Sequence, residues 1–241
     1  MEFYTDLHVH TVSSGHAYST IDENLRVASS IGLKILGISD HTEGLPWGAG
    51  LYHFNNMKIL PREKYGVTLL RGAETNIVDY NGTIDIPESS TRSLDYIIAS
   101  LHVPCIEPNS DKALVTRGII GAMENPLVKI IGHPGDTQYP MDFEILAKKS
   151  RETNTLLELN NSSLKPTSSR KGAVENLTEM LKVCNKHDLP IILNTDAHWA
   201  DEVGDFTEAT KLVEAVGFPK DLIINTQPEK LLEFLNVDLS K

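Results

Sequence analysis

The chain has 241 residues, of which 40% are hydrophobic and 23% are charged, a composition typical of a globular protein with a substantial core. Its formal net charge of −11 argues against a surface that binds nucleic acid through many phosphate contacts, because such a surface needs a basic patch. The longest apolar runs, such as YIIASL and PIILN, are far shorter than the roughly 20 residues that a membrane-spanning helix requires.

Strand-like and helix-like segments alternate from the start of the chain. The run FYTDLHVHT alternates as a strand does, and residues 20–32 are predicted to form a helix. Thr20 and Glu23 are placed to form a capping box at its start, and Gly32 can end it. The segment 41–56, HTEGLPWGAGLYHFNN, is the most loop-like part of the chain, and we interpret it either as a lid or as an ordered connection.

The same alternation continues to the last residues. Further strands are predicted at 34–40, 67–75, 95–103, 128–136, 155–162 and 189–198. Helical patterns fall between several of them, notably at 142–153 and 172–187, and a last pair, DLIINT and PEKLLEFL, closes the chain. Sustained strand–helix alternation indicates an α/β protein with a mainly parallel sheet, and about seven repeats favour a barrel. No linker or repeat divides the sequence, so we predict one domain over residues 1–241.

Two features of the sequence bear on the compartment. Cys105 and Cys184 are in no CxxC arrangement, and nothing suggests a small secreted domain, so we expect no structural disulfide. The first residues, MEFYTDLH, do not have the basic and apolar segments of a signal peptide. We therefore expect a soluble cytoplasmic protein.

Histidines and carboxylates follow strand after strand. In the first strand, Asp6, His8 and His10 share one face because residues i and i+2 point the same way. The other candidates are His16, His41, Glu74, His102, His133, Asp196 and His198. Since the carboxyl ends of barrel strands open onto one face, we expect His8, His10 and these seven side chains to converge there.

Convergence of so many imidazoles favours a metal centre. Protonated rings would repel one another, and neutral rings would leave buried nitrogens without partners, whereas a metal ion takes neutral imidazole and ionised carboxylate as ligands. Nine donors without a thiolate fit two or three ions, with Zn²⁺ preferred and Mn²⁺ or Fe²⁺ also suitable. His53 and His187 lie outside the pattern, and we interpret them as ordinary structural histidines.

The motifs DLHVHT, SDHTE, GAE, ASLH, IGHPGD and NTDAH, in this order, resemble the PHP (polymerase and histidinol phosphatase) family. The spacing and the NNSS…SR segment at 160–170 look most like its YcdX-type stand-alone phosphatase branch. The resemblance implies a distorted (β/α)7 barrel, a trinuclear metal centre and a small homo-oligomer. Its first ion would take His8, His10, Glu74 and Asp196. Its second ion would take His102 and His133 and share Glu74, and its third would take His16, His41 and His198.

As a mechanism we expect hydrolysis of a small phosphorylated metabolite, a phosphomonoester, by a metal-activated water. Asp6 and Asp40 are each candidates to accept an imidazole N–H, and Asp40 could instead pass a proton to the leaving alkoxide. Arg170 could make a forked contact with phosphate.

Four alternative functions remain. Histidinol phosphatase and phosphodiesterase activities would use the same centre. An amidohydrolase-like C–N hydrolase also has HxH on its first strand, but ASLHVP contains no metal-bridging lysine. A non-catalytic metal-binding module would need saturated ion shells.

Overall fold

The computed structural model describes residues 1–239, so Ser240 and Lys241, the end of the predicted domain 1–241, lie outside the described residues. The strands are β1 (Thr5–Asp6), β2 (Ile35–Ile38), β3 (Glu63–Lys64), β4 (Val67–Asn76), β5 (Tyr96–Ser100), β6 (Val128–Ile131), β7 (Leu156–Asn160) and β8 (Ile191–Asn194). The helices are α1 (Ile21–Ser30), α2 (Leu51–Asn56), α3 (Lys112–Met123), α4 (Phe143–Thr153), α5 (Ala173–Lys186), α6 (Thr207–Val216) and α7 (Pro228–Leu235).

Seven of the strands form a parallel sheet in the order β1-β2-β4-β5-β6-β7-β8, and β3 pairs antiparallel with β4 outside this path. A parallel bridge between Val9 and Ala197 joins the chain beyond β1 to the chain beyond β8. The sheet is therefore nearly closed, and the predicted α/β barrel of parallel strands is confirmed.

The seam between β1 and β8 is filled by the side chain of Asn225. Its Nδ2 donates to Thr5 O (2.9 Å) and Leu193 O (2.7 Å), and its Oδ1 accepts from the backbone N–H of Leu193 (2.7 Å). The predicted segment DLIINT is thus no regular strand: it consists of turns of 3₁₀ helix, and one amide side chain takes the place of the missing ladder.

The N-terminal half of the barrel interior is apolar and is packed around Tyr96. Its hydroxyl donates to Leu7 O (2.6 Å), and its ring fits only because Gly37 and Gly72 lack side chains: a Cβ there would lie 2.1 Å and 2.3 Å from Tyr96 atoms. The cluster consists of Leu7, Ile35, Leu70, Tyr96, Ile98, Ile130, Leu156, Ile192, Ile224, Leu231 and Leu235. Because the last two belong to α7, this helix covers the N-terminal end of the barrel.

Local details agree with the sequence at α1 and differ at the 41–56 segment. Glu23 and Thr20 form the predicted capping box, and Gly32 has the φ of +85° that suits a residue beyond a helix end. Only the first part of 41–56 is loop, because its last six residues form α2.

Two observations concern the cysteines and the absence of a membrane-spanning segment that the sequence analysis considered. Cys105 and Cys184 are free thiols, and Cys184 is buried in the core. Within residues 1–239, no helix combines the length and the apolar character needed to cross a lipid bilayer.

Candidate metal centre

The structure brings the nine predicted metal-binding side chains together at the C-terminal end of the barrel. They come from the chain at or beyond β1, β2, β4, β5, β6 and β8, and they are His8, His10, His16, His41, Glu74, His102, His133, Asp196 and His198. Most are buried, and His16, His102 and His198 are half-buried at the mouth.

Glu74 lies at the centre of this cluster. Its Oε2 is 3.2 Å from His8 Nε2 and 2.8 Å from His41 Nδ1. Its Oε1 is 2.8 Å from His133 Nε2 and 3.4 Å from His102 Nε2. The two carboxylate oxygens therefore face two different groups of imidazoles.

Asp196 links the centre to the mouth. Its Oδ1 is 3.2 Å from His10 Nε2, and its Oδ2 accepts from Arg170 Nη1 (3.0 Å). Beyond it, the Nε2 atoms of His16 and His198 are 2.9 Å apart. Asp196 has a φ of +57°, an uncommon conformation that carries a cost outside glycine and is held here by the surrounding contacts.

Four of the imidazoles turn the Nδ1 atom outward to an oxygen acceptor. The pairs are His8 with Glu158 Oε1 (2.7 Å), His16 with Ser14 O (2.9 Å), His102 with Asn76 Oδ1 (2.7 Å) and His198 with Asp196 O (2.9 Å). An acceptor at Nδ1 fixes the proton there, so the lone pair of each Nε2 is directed into the cluster.

Asp40 fixes a fifth imidazole through Ser14. The Ser14 hydroxyl donates its one proton to Asp40 Oδ1 (2.7 Å), so the contact of Ser14 Oγ with His10 Nδ1 (3.2 Å) must be an N–H donated by His10. Ser14 Oγ also accepts the backbone N–H of His41 (3.1 Å), and Thr11 donates twice to Asp40. Asp40 itself is fully buried.

His53 also contacts this network, which the sequence interpretation did not foresee. Its Nε2 lies 3.1 Å from Asp40 Oδ2. Burial alone would raise the pKa of Asp40, but the close contact with His53 outweighs it and lowers the pKa to about 2. His187 contacts Glu144 (2.7 Å) at the surface, away from the centre.

The prediction that Asp6 accepts an imidazole N–H was wrong. Its carboxylate accepts instead from Thr195 Oγ1 (2.5 Å) and from the backbone N–H of Gly204 (3.1 Å), and so ties β1 to the chain beyond β8. Asp6 lies two residues before His8, roughly 7 Å lower along the strand, which is out of reach of the outer ring nitrogen. Burial raises the pKa of Asp6 to about 6.

Glu158 on β7 takes the role that Asp6 was expected to have. Besides its contact with His8, it accepts the backbone N–H of His133 at Oε2 (2.7 Å), where His133 has a φ of +31°. Asn160 and Asn194 donate to the same carboxylate (3.0 Å and 2.8 Å). Sequence reasoning missed it, although a single acidic residue inside the apolar run LLELN was the available signal.

The charges of the cluster suit metal coordination. Burial would raise the pKa of Glu74, but the neighbouring His8 and His41 outweigh it and lower it well below the usual range. Burial lowers the pKa of His10, and it lowers the pKa of His102 to about 4. Burial would also lower the pKa of His8, but without an ion the carboxylates of Glu158 and Glu74 outweigh it and raise this pKa well above the usual value. The Glu74 carboxylate is thus ionised and the imidazoles of His10 and His102 are neutral, which are the forms that metal ions bind.

The polar atoms of the cluster are not satisfied by one another. Four buried atoms have no hydrogen-bond partner of acceptable geometry within the described residues: His8 Nε2, His41 Nδ1, Glu74 Oε2 and His102 Nε2. Buried polar atoms without partners are costly, and imidazole nitrogen with carboxylate oxygen is the donor set of divalent transition metals. The residues therefore fit metal ions.

A cleft of about 360 Å³ opens from the cluster to the surface. Its floor includes His16, His41, His102, Asp196 and His198. Arg170, predicted to contact phosphate, stands in its wall and is held there by Asp196 and by Ser163 Oγ (3.3 Å). A small anion in the cleft would contact the cluster and the guanidinium together.

Comparison with known sequences identifies relatives along the whole chain. Residues 6–165 match the PHP domain. The chain is 47% identical over 235 residues to a protein of Clostridium novyi (strain NT) named as a probable phosphatase, a match that covers 98% of this chain and 95% of that protein. A protein of Thermoanaerobacter sp. (strain X514) with the same description is 43% identical over the same shares.

Solved structures share the fold at low identity. Histidinol phosphate phosphatase from Lactococcus lactis subsp. lactis Il1403, complexed with zinc, L-histidinol and phosphate, has a TM-score of 0.58 at 14% identity and covers 90% of this chain and 94% of that chain. A structure of archaeal ribonuclease P with mature tRNA has a TM-score of 0.59 at 12% identity, with 96% and 90% covered. The barrel, the match over residues 6–165 and the nearly full-length relatives establish that the chain belongs to the PHP domain family.

Proposed function

We propose that the protein is a metal-dependent phosphatase that hydrolyses phosphomonoesters of small metabolites, with residues 1–241 acting as one domain. One observation carries the proposal: the nine donor side chains meet at the base of an open cleft, and four of their buried atoms lack hydrogen-bond partners in the described residues. The names of the relatives from Clostridium and Thermoanaerobacter support a phosphatase rather than another hydrolase.

We assign three divalent transition-metal ions to the centre. His8, His10, Glu74 and Asp196 would hold the first, His102 and His133 with Glu74 the second, and His16, His41 and His198 the third. The arrangement of Glu74 supports a bridging role, because its two oxygens face different imidazoles. Zn²⁺ is the preferred ion, and Mn²⁺ or Fe²⁺ suit the same donors.

When bound, such ions lower the pKa of water towards neutrality and offset the charge of the phosphoryl group. The protein itself supplies position and charge. Arg170 uses Nη1 to hold Asp196, and a guanidinium has further donors that can bind phosphoryl oxygens from the cleft wall. Asp40 has its oxygens directed to Thr11, Ser14 and His53, which supports a role behind the ligands.

The alternative activities differ in the substrate that they would hydrolyse. His102 lies two residues beyond β5, and the stretch ASLHVP contains no lysine, which disfavours an amidohydrolase-like C–N hydrolase. Histidinol phosphate and phosphodiesters remain as test substrates, and the histidinol found with the structural neighbour is a reason to include the first.

The test combines metal analysis with activity. Purified protein should contain more than one transition-metal equivalent per chain, hydrolyse p-nitrophenyl phosphate, lose this activity with a chelator and regain it with Zn²⁺ or Mn²⁺. A Glu74→Ala variant should lose two ions together. Faster turnover of amide, lactone or phosphodiester substrates by the loaded protein would contradict the assignment.

A further inference from the structure

We propose that Trp47 is a specificity-determining residue: its indole forms a fixed wall on which a planar ring of the leaving group stacks. The inference rests on the phosphatase function proposed above and narrows its substrates to phosphate monoesters of small molecules that carry an aromatic or otherwise planar ring.

The position of the phosphoryl group decides where the leaving group goes. The donor cluster lies at the base of the cleft and Arg170 stands in its wall, so the rest of the substrate must extend along the cleft towards solvent. One part of its lining is apolar and consists of Leu45, Trp47, Leu101, Val103 and Pro104. Asp136 and Gln138 supply polar groups, and the Gln138 side chain donates to Asp136 (3.1 Å).

Trp47 presents an open face beside this path. Its ring meets the His16 ring edge-on, with centroids 5.7 Å apart, and 47% of the residue is exposed. A large aromatic residue left this open next to a candidate active site has free apolar surface that a ligand ring can cover.

The loop that carries Trp47 is tightly fixed, so the indole is a wall and the lid interpretation of this segment is disfavoured. Asp85 accepts from Thr42 Oγ1 (2.6 Å) and from the backbone N–H of Gly44 (2.9 Å). At Gly15 an added Cβ would lie 2.6 Å from Trp47 O, which shows how closely the loop rests on the turn below it. A surface fixed before binding loses little entropy when the ligand arrives.

The size of the cleft sets the scale of the ligand. Its volume of about 360 Å³ is at the lower end of the range of roughly 300–1,000 Å³ for small-molecule sites. A phosphate and one ring system fit this space better than a polymer does.

A matched pair of substrates tests the proposal. Benzyl phosphate and cyclohexylmethyl phosphate have six-membered rings on alcohols of similar acidity, so they differ mainly in planarity. We expect the metal-loaded protein to prefer benzyl phosphate in kcat/KM by about fivefold, the size of an aromatic stacking contribution. Trp47→Leu should abolish this preference, and Trp47→Phe should retain most of it.

Tyr52→Leu is the control, because Tyr52 lies in the same segment, is 89% exposed and does not line the cleft. It should keep the preference. Equal activity of the unaltered protein on the two esters, or an equal loss on both in Trp47→Leu at unchanged metal content, would overturn the role of Trp47. No turnover of either ester, or of p-nitrophenyl phosphate, would overturn the phosphatase proposal itself.

Binding can be measured without turnover. The chain has two tryptophans, so a Trp199→Phe variant reports the fluorescence of Trp47 alone. Benzylphosphonate, which is not hydrolysed, should quench this fluorescence at lower concentration than cyclohexylmethylphosphonate. Identical titrations with the two phosphonates would contradict stacking on Trp47 even if Trp47→Leu failed to fold.

Discussion

At the scale of single residues, the cluster depends on what stands behind each imidazole. A histidine can present either nitrogen, and the oxygen at its outer nitrogen decides which one faces inward. Carboxylate, carbonyl and amide oxygens have this role for His8, His16 and His102. Ordering the rings before an ion arrives removes an entropic cost that binding would otherwise bear.

Glu158 should therefore control metal affinity although it is no ligand. In Glu158→Gln, the amide nitrogen would face a donor at either oxygen position, since His8, His133, Asn160 and Asn194 all donate to the carboxylate. We expect metal affinity to fall by about 10- to 100-fold, measured by competition with a chromogenic chelator. The exposed Glu179→Gln serves as control, and equal affinities in the two variants would contradict this role.

Two functions are conceivable for Asp40, positioning of His10 and proton donation to the leaving group, and one variant distinguishes them. If Asp40 positions His10 through Ser14, Asp40→Asn should bind metal more weakly by roughly 10-fold or more, and excess metal should restore activity. If Asp40 donates the proton to the leaving group, excess metal should restore little. We expect restoration, because the carboxylate is fully buried among its donors. Asp221→Asn, an exposed change at the opposite end of the barrel, should have no effect.

At the scale of secondary-structure elements, the described part of the barrel has no regular strand pairing where β1 meets β8. The regular pairing there is replaced by Asn225 and by the bridge between Val9 and Ala197. Because β1 and β8 both lead into candidate metal ligands, the geometry of the centre depends on this seam. The segment DLIINT is a run of apolar residues typical of a strand, but most of its backbone forms turns of 3₁₀ helix. It keeps one parallel bridge, between Ile223 and Ile191, and Asn225 O accepts from the backbone N–H of Tyr4 (2.9 Å).

Removing the Asn225 side chain should destabilise the fold strongly. Asn225→Ala would leave Thr5 O and both backbone groups of Leu193 buried without this partner. At about 1–3 kcal/mol for each such group, we expect a loss of roughly 3–5 kcal/mol in the free energy of unfolding, measured by urea denaturation of the metal-free protein. Asn55→Ala, an exposed change on α2, is the control. A loss below 1 kcal/mol would show that water or local rearrangement satisfies the seam.

At the scale of the whole molecule, the features that follow from periodicity could be predicted from the sequence. Strand alternation predicted the barrel, and a barrel by itself brings strand ends such as those before His41, His102 and His133 to one face. The contacts of Glu158 and Asn225 could not be predicted. Their partners lie on other strands, at heights within the barrel that depend on register and closure, and a single sequence does not specify these.

The composition of the hydrophobic core predicts how metal affects stability. The two hydrophobic clusters, one inside the barrel and one beneath the helices, do not include the nine donor side chains, so the fold should persist without ions. An ion that binds only the native state at 100 times its Kd adds about 2.7 kcal/mol. For a chain of this size, each kcal/mol raises Tm by about 2–4 °C.

Chelation should accordingly lower Tm by roughly 5–10 °C for each tightly bound ion released. The far-UV circular dichroism at 20 °C should stay unchanged, because the helices pack on the barrel through contacts that need no metal. Adding Zn²⁺ should restore Tm, and it should restore less of it in Glu74→Ala, where the shared carboxylate oxygens are missing. Loss of helical signal on chelation would mean that the ions are part of the folding core. An unchanged Tm would mean that the nine side chains do not hold metal.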